Sequence, residues 1–299
     1  MAMRISVLLL CIAFFCIIAS QKQIIMKKTV LLFVAFCFAA GTYAQSSNSL
    51  SVVSFNIRNS AANDGFNAWD FRKGAIITMI NTIKPDVLGV QEALYDQVQY
   101  FDQFASQYGR VGIGRDDGKE GGEFSAIYYL KERFTVVDAG NFWLSPTPDL
   151  PSKGWDATCI RIVTWVQLRE KSTEKEFFVF NTHFDHVGVE ARKESAKLLL
   201  AQVKQITHNM EVTTFITGDF NTQTCDPLFD ELKEVMPSAR EKAPETDDRG
   251  TYHEYGEMSE MIDHIFYTKA TPLSFKVLTE NFGIAYISDH YPVLGKFSW

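Results

Sequence analysis

Polar side chains able to do chemistry stand at the ends of several short apolar runs in this chain of 299 residues. The clearest example is Ser288-Asp289-His290, which precedes the last apolar run. Carboxylates, amides and imidazoles gathered at strand ends around one locus are the groups that a metal-assisted hydrolase uses. The candidate residues are Asn56, Glu92, His183, Asp185, Asp219, Asn221, Asp263, Asp289 and His290.

Asn56 and Glu92 are candidate ligands of a hard cation. Each follows an apolar run, and a helix between the two runs would make them neighbours. Each also has an ordinary alternative: Glu92 as a carboxylate that stabilises a helix start, and Asn56 as a turn residue. Together their oxygens suit Mg²⁺ or Mn²⁺, because such a cation takes few protein ligands and keeps waters for a substrate.

Candidate groups for handling water and phosphate follow two further runs. Alternation along a strand puts Asp219 and Asn221 on one side and Phe220 in the core. The carboxylate can orient or deprotonate a water and the amide can donate to a phosphate oxygen, although a Gly-Asp turn is the alternative. His183 and Asp185 also share one side. A His there can donate to a phosphoryl oxygen or protonate a leaving group, unless it is structural.

Asp263 and Asp289-His290 fit a carboxylate–imidazole dyad. One Asp would fix the tautomer of His290 while the other reaches a metal. His264 alternates to the opposite side of its strand and is predicted to be structural, and His186 is predicted to lie at the surface.

The elements that must position these groups alternate along residues 45–299. Short runs rich in Val, Ile, Phe and Tyr predict strands, and the tight turn at 131–133 predicts a hairpin, so the sheets are mixed. Two packed sheets with helices outside are therefore expected. The predicted strands are 51–55, 87–90, 124–130, 134–142, 159–168, 177–181, 214–218, 261–267 and 293–297. The predicted helices are 68–82, 96–107, 190–208 and 227–234.

Residues 1–44 are predicted to be a leader rather than part of the fold. Met26-Lys27-Lys28 is a positive n-region, residues 30–40 are an apolar h-region, and Thr42-Tyr43-Ala44 is a cleavage site with small residues. An earlier apolar stretch at 7–19 is short of the roughly 20 residues that span a bilayer. We therefore expect translation to start at Met26 and the protein to be exported, to the periplasm or the medium.

Residues 45–299 are expected to form one domain, since no repeat or linker interrupts them. They carry 25 basic and 36 acidic side chains, a net charge of −11, which disfavours tight sequence-blind binding of nucleic acid. Cys159 and Cys225 lack ligand-spaced neighbours, so a zinc site is not indicated. They are predicted to be two buried thiols, with one disulfide as the alternative.

Taken in order, these motifs resemble the endonuclease/exonuclease/phosphatase superfamily. No single motif is specific, but the ordered set is, and it covers nearly all of residues 45–299. The motifs are Ser-Phe-Asn-Ile-Arg (54–58), Gly-Val-Gln-Glu (89–92), Asn-Thr-His-Phe-Asp (181–185), Gly-Asp-Phe-Asn (218–221), Ile-Asp-His-Ile (262–265) and Ser-Asp-His (288–290).

The resemblance implies a four-layer α/β sandwich that cleaves phosphoester bonds with a divalent metal. It leaves open whether Asp219 or His290 is the base. It implies that Glu92, with Asn56 beside it, and Asp289 bind the metal. His183 would contact the scissile phosphate or the leaving group, and Asp219 would align the attacking water. Asn221 would hold the phosphate or the metal, and Asp263 would pair with His290.

Substrate choice is predicted to depend on residues other than those just given metal-binding and catalytic roles. His183-Phe184-Asp185 resembles the deoxyribonuclease, sphingomyelinase and deadenylase branches, and Asp185 is a candidate substrate-binding residue. Gly154-Trp155-Asp156 with Arg161 resembles secreted or periplasmic bacterial members. Arg161 can clamp a phosphate with both arms of its fork or form a salt bridge at a strand edge. The Gly-rich segment 112–123 is predicted to be a mobile flap.

Three functions are compatible with these patterns. The leading hypothesis is an exported metal-dependent phosphodiesterase or phosphomonoesterase, and the second is a DNA or RNA nuclease. The third is an inactive binding protein on a hydrolase fold, which the complete residue set disfavours. The expected partner is a phosphate-ester substrate (a small molecule, a lipid head group or nucleic acid), with no obligate protein partner and a monomeric chain.

The leader hypothesis predicts a mature protein that begins near Gln45. N-terminal sequencing of the protein isolated from its native cells measures this directly. Retention of residues 1–25 in that material would contradict the expectation.

Overall fold

The computed structural model describes residues 49–299, and the predicted leader lies outside the described residues. No helix in this range combines the length and the apolar character needed to cross a membrane. The strands are β1 (Ser49–Asn56), β2 (Val87–Ala93), β3 (Tyr108–Val111), β4 (Phe124–Leu130), β5 (Phe134–Trp143), β6 (Ile162–Glu170), β7 (Glu176–His183), β8 (Thr213–Asp219), β9 (Asp263–Thr268), β10 (Thr271–Val277) and β11 (Val293–Ser298). The helices are α1 (Trp69–Ile83), α2 (Tyr95–Phe104), α3 (Val189–Ile206), α4 (Asp230–Val235) and α5 (Ala239–Lys242).

The strands form two mixed sheets, each with one parallel pair near its middle. The six-stranded sheet has the order β10-β11-β1-β2-β4-β3 and the five-stranded sheet the order β5-β6-β7-β8-β9. Strands β1 and β2 run parallel, as do β7 and β8. A helix connects each pair, α1 in the first sheet and α3 in the second. Four of the motifs that were predicted to do chemistry lie at the carboxyl ends of these four strands, β1, β2, β7 and β8.

The sheets pack face to face with helices outside, giving four layers. Leu50, Val52 and Phe215 are among the side chains buried between the sheets. The alternate residues of the same strands face the helices, as Val53 does on the side of α1 and α2. A third apolar cluster lies between the five-stranded sheet and α3. The predicted α/β fold of two packed mixed sheets flanked by helices is confirmed.

Helix α1 shows how the chain returns from one parallel strand to the next. Its buried residues Arg72, Ile76, Met79 and Ile80 recur at helical spacing and form the face that packs on the sheet. The helix ends at Ile83, and the C-cap residue Lys84 adopts a left-handed conformation with φ of 47°. Pro85 follows and cannot continue the helix.

A buried amide cluster joins the two sheets just below the motif-bearing strand ends. The side chain of Asn181 on β7 donates to the backbone oxygens of Val90 and Ala126, at 2.9 Å each, in the other sheet. Its own oxygen accepts from Gln91 Nε2 at 2.6 Å and from Thr217 Oγ1 at 3.0 Å. All four hydrogen-bonding positions of this amide are thus used without water.

Some element boundaries differ from the prediction for identifiable reasons. Strand β3 was not predicted, because four residues that include a Gly carry little strand signal. Strand β10 was not predicted because Pro272 argues against a strand; β10 is an edge strand, where Pro is tolerated. The predicted strand from Cys159 begins only at Ile162, and the predicted helix from Pro227 is a 3₁₀ turn followed by α4.

The prediction of two buried thiols is wrong. Cys225 is exposed and Cys159 is partly exposed, and the two are not bonded to each other. Neither lies in a strand: Cys159 precedes β6, and Cys225 precedes the 3₁₀ turn before α4.

The close approach of the sheets predicts that Gly89 cannot be replaced. A Cβ atom at Gly89 would lie 2.7 Å from Asn181 Oδ1 and closer still to Thr217 Oγ1. We expect Gly89→Ala to destabilise the protein by about 1–3 kcal/mol, measured by chemical denaturation. Gly74→Ala, on the exposed face of helix α1 where a Cβ meets nothing within 4 Å, is the control. This change should stabilise the protein by roughly 0.5–1 kcal/mol. Equal effects of the two changes would contradict this account.

Candidate active site

The candidate residues converge on a cavity of about 340 Å³ at the strand ends. Asn56 and Asp263 lie directly behind its wall, fully buried. Asp185 does not line it. The predicted site residues that line the cavity are Glu92, Arg161, His183, Asp219, Asn221, Asp289 and His290.

Asn56 joins the two halves of the site. Its Nδ2 donates to Glu92 Oε1 at 3.0 Å and to Asp219 Oδ2 at 2.9 Å. Asn59 adds two bonds of 3.1 Å to the other oxygen of Glu92. Burial by itself raises the pKa of Glu92, but the Asn56 hydrogen bond and nearby positive charges turn the net shift downward. Glu92 is therefore an ionised carboxylate.

The backbone at Glu92 is unusual and aims its side chain. Pairing of β2 with β4 is interrupted between Val90 and Ala93, as in a β-bulge. Glu92 has a φ of 62°, in the left-handed region. Bulges of this kind redirect a side chain next to an active site.

His290 forms the centre of a buried acid cluster. Its Nδ1 lies 2.8 Å from Asp263 Oδ2, and its Nε2 lies 3.7 Å from Asp219 Oδ2. Burial alone lowers the pKa of His290, but the negative charges of Asp263 and Asp219 outweigh burial and the net shift is upward. Burial, with the neighbouring Asp263 carboxylate, raises the pKa of Asp219. The structure thus favours an imidazolium beside a carboxylate of increased basicity.

His183 is held as a neutral imidazole. Burial, together with the positive charge of Arg161, keeps its pKa well below the usual range. Asn221 Nδ2 lies 3.1 Å from His183 Nε2 and also donates to the backbone oxygen of Phe184 at 3.0 Å. An amide that donates to Nε2 assigns the imidazole proton to Nδ1. That Nδ1 lies 3.8 Å from Glu123 Oε2 and makes no hydrogen bond within residues 49–299.

Asp185 organises the loop beside the cavity. Its carboxylate accepts backbone N–H groups at Thr158, Cys159, Val187 and Gly188. Burial opposes ionisation, but these hydrogen bonds hold the pKa of Asp185 well below its usual range. The alternation that places His183 ends with β7, so Asp185 turns toward its own loop and no longer shares the side of His183 that faces the cavity.

Arg161 is almost fully buried, with 3% of its surface exposed. Its Nε lies 3.4 Å from Asp185 Oδ2, and its Nη2 lies 3.0 Å from His186 Nδ1. His186 is exposed, as predicted for a surface residue, and it also lines the cavity. The guanidinium of Arg161 therefore lines the cavity in a fixed orientation. Its Nη1 has no hydrogen-bond partner among the described residues.

The segment 112–123 contributes residues that the motifs did not indicate. It folds back on itself, with the backbone N–H of Arg115 bonded to the Glu123 oxygen and a side-chain bond between the same two residues. Trp143 Nε1 anchors it by donating to the Arg115 oxygen at 2.7 Å. Burial, with repulsion from Glu92, raises the pKa of Glu123 to about 6. A charged segment rich in Gly was the available signal, but it lacks the spacing of a P-loop or a dinucleotide-binding motif.

Two sets of residues are candidates for holding a cation. Asp219, Asp263 and His290 offer ligand atoms within 4.8 Å of one another, but Nδ1 of His290 and Oδ2 of Asp263 already pair with each other at 2.8 Å. Glu92 and Asp289 line the same cavity. Burial is the main cause that raises the pKa of Asp289, and the charge of Glu92 adds to it. Two ionisable carboxylates that repel each other in a buried corner suit a divalent cation.

A profile of the Endonuclease/Exonuclease/phosphatase family matches residues 53–290. The chain belongs to this family, and the resemblance predicted from the ordered motifs is confirmed. Members of the family are hydrolases that act on phosphoester bonds and typically depend on a divalent metal.

Solved structures support the same assignment. A mannosyl-6-phosphatase of Bacteroides thetaiotaomicron is 34% identical and superposes with a TM-score of 0.80 over 84% of this chain and 100% of its own. An endonuclease/exonuclease/phosphatase of Bacteroides vulgatus is 36% identical, with a TM-score of 0.79 over 83% of this chain and 98% of its own. TDP2 of D. rerio complexed with single strand DNA product is 18% identical, with a TM-score of 0.67 over 83% of this chain and 98% of its own, and shows the shared fold.

The acid cluster generates a prediction about protonation. In metal-free protein at pH 8, we expect the His290 imidazole to be protonated, because Asp263 and Asp219 raise its pKa to about 10. Asp263→Asn should lower that pKa by roughly 1–3 units, the usual effect of one adjacent opposite charge. Imidazole NMR titration measures this. An unchanged His290 titration in the variant would refute the pairing.

Proposed function

We propose that this protein is an exported, divalent-metal-dependent phosphoesterase that uses an activated water. The observation that carries the proposal is the convergence of His183, Asp219, Asn221 and His290 on one cavity that Glu92 and Asp289 also line. Family membership supports hydrolysis of a phosphoester bond. The complete set of groups argues against an inactive binding protein, because such a protein has no need to retain them.

Glu92 and Asp289 are the residues that would hold the cation, with Asn56 behind them. The donor set fits, since both carboxylates are hard oxygen ligands in a corner where their charges repel. A bound divalent cation supplies Lewis-acid polarisation of a phosphoryl oxygen. Mg²⁺ and Mn²⁺ are the ions we propose.

Asp219 is the group we propose to orient and deprotonate the attacking water. Its raised pKa makes it a stronger base than an ordinary carboxylate. His290 is the weaker candidate for this role, because Asp263 stabilises it in the protonated form. The positive charge of His290 is 3.7 Å from Asp219 Oδ2 and keeps the base oriented.

His183 and Asn221 are proposed to hold the phosphoryl group. They meet at 3.1 Å on the cavity wall next to Asp219. The Asn221 amide can turn its donors to a phosphate oxygen, and the backbone N–H of Asn221 fixes Asp219 Oδ1 at 2.9 Å. Developing charge on the phosphoryl oxygens is then met by oriented donors.

A small phosphorylated molecule is the favoured substrate. The cavity of about 340 Å³ is at the small end of the roughly 300–1,000 Å³ range of small-molecule sites. The related mannosyl-6-phosphatase favours a sugar phosphate among such molecules. A polynucleotide is less favoured, because the net charge of −11 over residues 45–299 repels a polyanion. Arg161 and the segment 112–123 are proposed to select the substrate from the opposite wall.

Two variants, Glu92→Gln and Asp219→Asn, should distinguish a loss of metal affinity from a loss of water activation. We expect hydrolysis of a sugar phosphate panel to require Mg²⁺ or Mn²⁺ and to stop with chelator. Glu92→Gln should raise the metal concentration for half-maximal activity at least about tenfold, because it removes a charged ligand. Asp219→Asn should lower kcat by roughly 10² or more without that shift, because it removes the base.

Metal titrations of initial rate for the two variants measure both effects. Full activity in chelated protein would refute the metal assignment, and an active Asp219→Asn variant would refute the role of the base. Higher activity toward single-stranded DNA than toward the sugar phosphates would favour the nuclease alternative.

A further inference from the structure

Arg58 is the most accessible of the three arginines that line the cavity. Its side chain is 34% exposed, against 13% for Arg115 and 4% for Arg161. Arg115 is paired with Glu123, and Arg161 is fixed between Asp185 and His186. A ligand in the cavity therefore meets the guanidinium of Arg58 more readily than the other two.

The backbone of Arg58 is held in a strained conformation. Its φ of 56° lies in the left-handed region, which disfavours a residue with a Cβ. The Arg58 N–H donates to Asn56 Oδ1 at 3.0 Å. The Arg58 oxygen accepts from Gln97 Nε2 at 2.9 Å and from Arg72 Nη2 at 3.3 Å, and both of these side chains are buried. Strain maintained by buried partners typically marks a functional position.

The guanidinium of Arg58 is also held in one orientation. Its Nε and Nη2 bind the two oxygens of Asp64 at 3.0 Å and 3.1 Å. Asp64 in turn accepts the Tyr255 hydroxyl at 2.9 Å. Nη1 makes no hydrogen bond to any residue in the described part of the chain. The fork is thus anchored by one edge, which leaves Nη1 available to a ligand in the cavity that Arg58 lines.

Arg58 also lies close to the carboxylates that are proposed to hold the cation. Its Nε lies 3.6 Å from Asp289 Oδ2, and Glu92 also lines this corner. A phosphate group that approaches these carboxylates is repelled unless oriented donors face it. The planar fork of Arg matches phosphate oxygens in a way that the point charge of Lys does not.

We propose that Arg58 binds the non-bridging oxygens of the substrate phosphate and that the Asp64–Tyr255 pair fixes it for that contact. The proposal rests on the proposed phosphoesterase function and names a binding residue for it. The competing role is structural, with Arg58 holding Asp289 in place for the cation. The two roles differ in the ligand whose affinity falls when Arg58 is changed.

Binding of inorganic phosphate to the Mg²⁺-loaded full chain tests the proposal without turnover. Calorimetric titration is made on wild-type protein and on Arg58→Lys, which keeps the charge and loses the fork. We expect Arg58→Lys to weaken phosphate binding at least about tenfold and to leave the Mg²⁺ affinity within about twofold. Tyr255→Phe, which removes one bond to Asp64, should weaken phosphate binding severalfold with little change in Tm.

Arg249→Lys is the matched control. Arg249 forms the same two-pronged pair with Asp247 on an exposed surface away from the cavity, so its variant should bind phosphate like wild-type protein. Unchanged phosphate affinity in Arg58→Lys overturns the proposal, and a lowered Mg²⁺ affinity in the same variant assigns Arg58 to Asp289.

The proposed function and this inference fail separately. Wild-type protein that binds phosphate through Arg58 but hydrolyses no ester contradicts the phosphoesterase proposal alone. Wild-type protein that hydrolyses esters while Arg58→Lys binds phosphate normally contradicts the inference alone. Wild-type protein that binds no phosphate in the presence of Mg²⁺ contradicts the inference in either case.

Discussion

The site depends on the amide of Asn181, which fixes one sheet against the other. Its hydrogen bonds to Val90 and Ala126 cross the interface, and its strand partner Thr217 bonds to it from β8. His183 and Asp219 pair two residues further along the same strands. A slip of one residue in this register would turn the side chains of the slipped strand to the other face and separate the two residues. A buried amide with every bond satisfied has no equivalent arrangement in a slipped register, so it specifies the alignment as well as stabilising it.

The same alignment is what makes local strain tolerable at the strand ends. Arg58, Glu92 and Asn221 all have φ between 49° and 62°, a conformation that costs on the order of 1–3 kcal/mol each. Asn56 joins the three, because it accepts from the Arg58 backbone and donates to Glu92 and to Asp219, the carboxylate that Asn221 contacts. One buried amide thus couples the two sheets a second time, at the level of the chemistry. At these three positions the left-handed backbone accompanies a side chain that lines the cavity.

This explains how far the sequence alone could predict the site. Alternation and strand-end motifs indicated His183 and Asp219 correctly as neighbours, because each is the last residue of a regular strand. Asn221 follows β8 and was indicated by its motif. The fold class followed from the same periodicity. Glu123 and Arg115 were indicated only as parts of the segment 112–123, because their own positions depend on a loop anchored by Trp143, a contact distant in sequence. Arg58 stood inside a recognised motif, yet its exposure depends on Asp64 and Tyr255, which no local pattern links. Cys159 was wrongly assigned to a strand, because the hydrogen bond from its backbone N–H to Asp185 is also a contact that no local pattern shows.

Charge balance in the Arg58 corner connects the cation to the phosphate. Arg58 contributes one positive charge, and the carboxylates of Asp64, Glu92 and Asp289 contribute three negative charges when all are ionised, an excess of two among these four side chains. A divalent cation would balance that excess. Because Asp64 already balances Arg58, the guanidinium acts as an oriented donor and supplies no surplus positive charge. On the proposed mechanism, attraction for a phosphate dianion then has to come from the cation, and direction from Arg58. On this proposal each ligand raises the affinity of the corner for the other, and such a coupling is reciprocal by thermodynamic necessity.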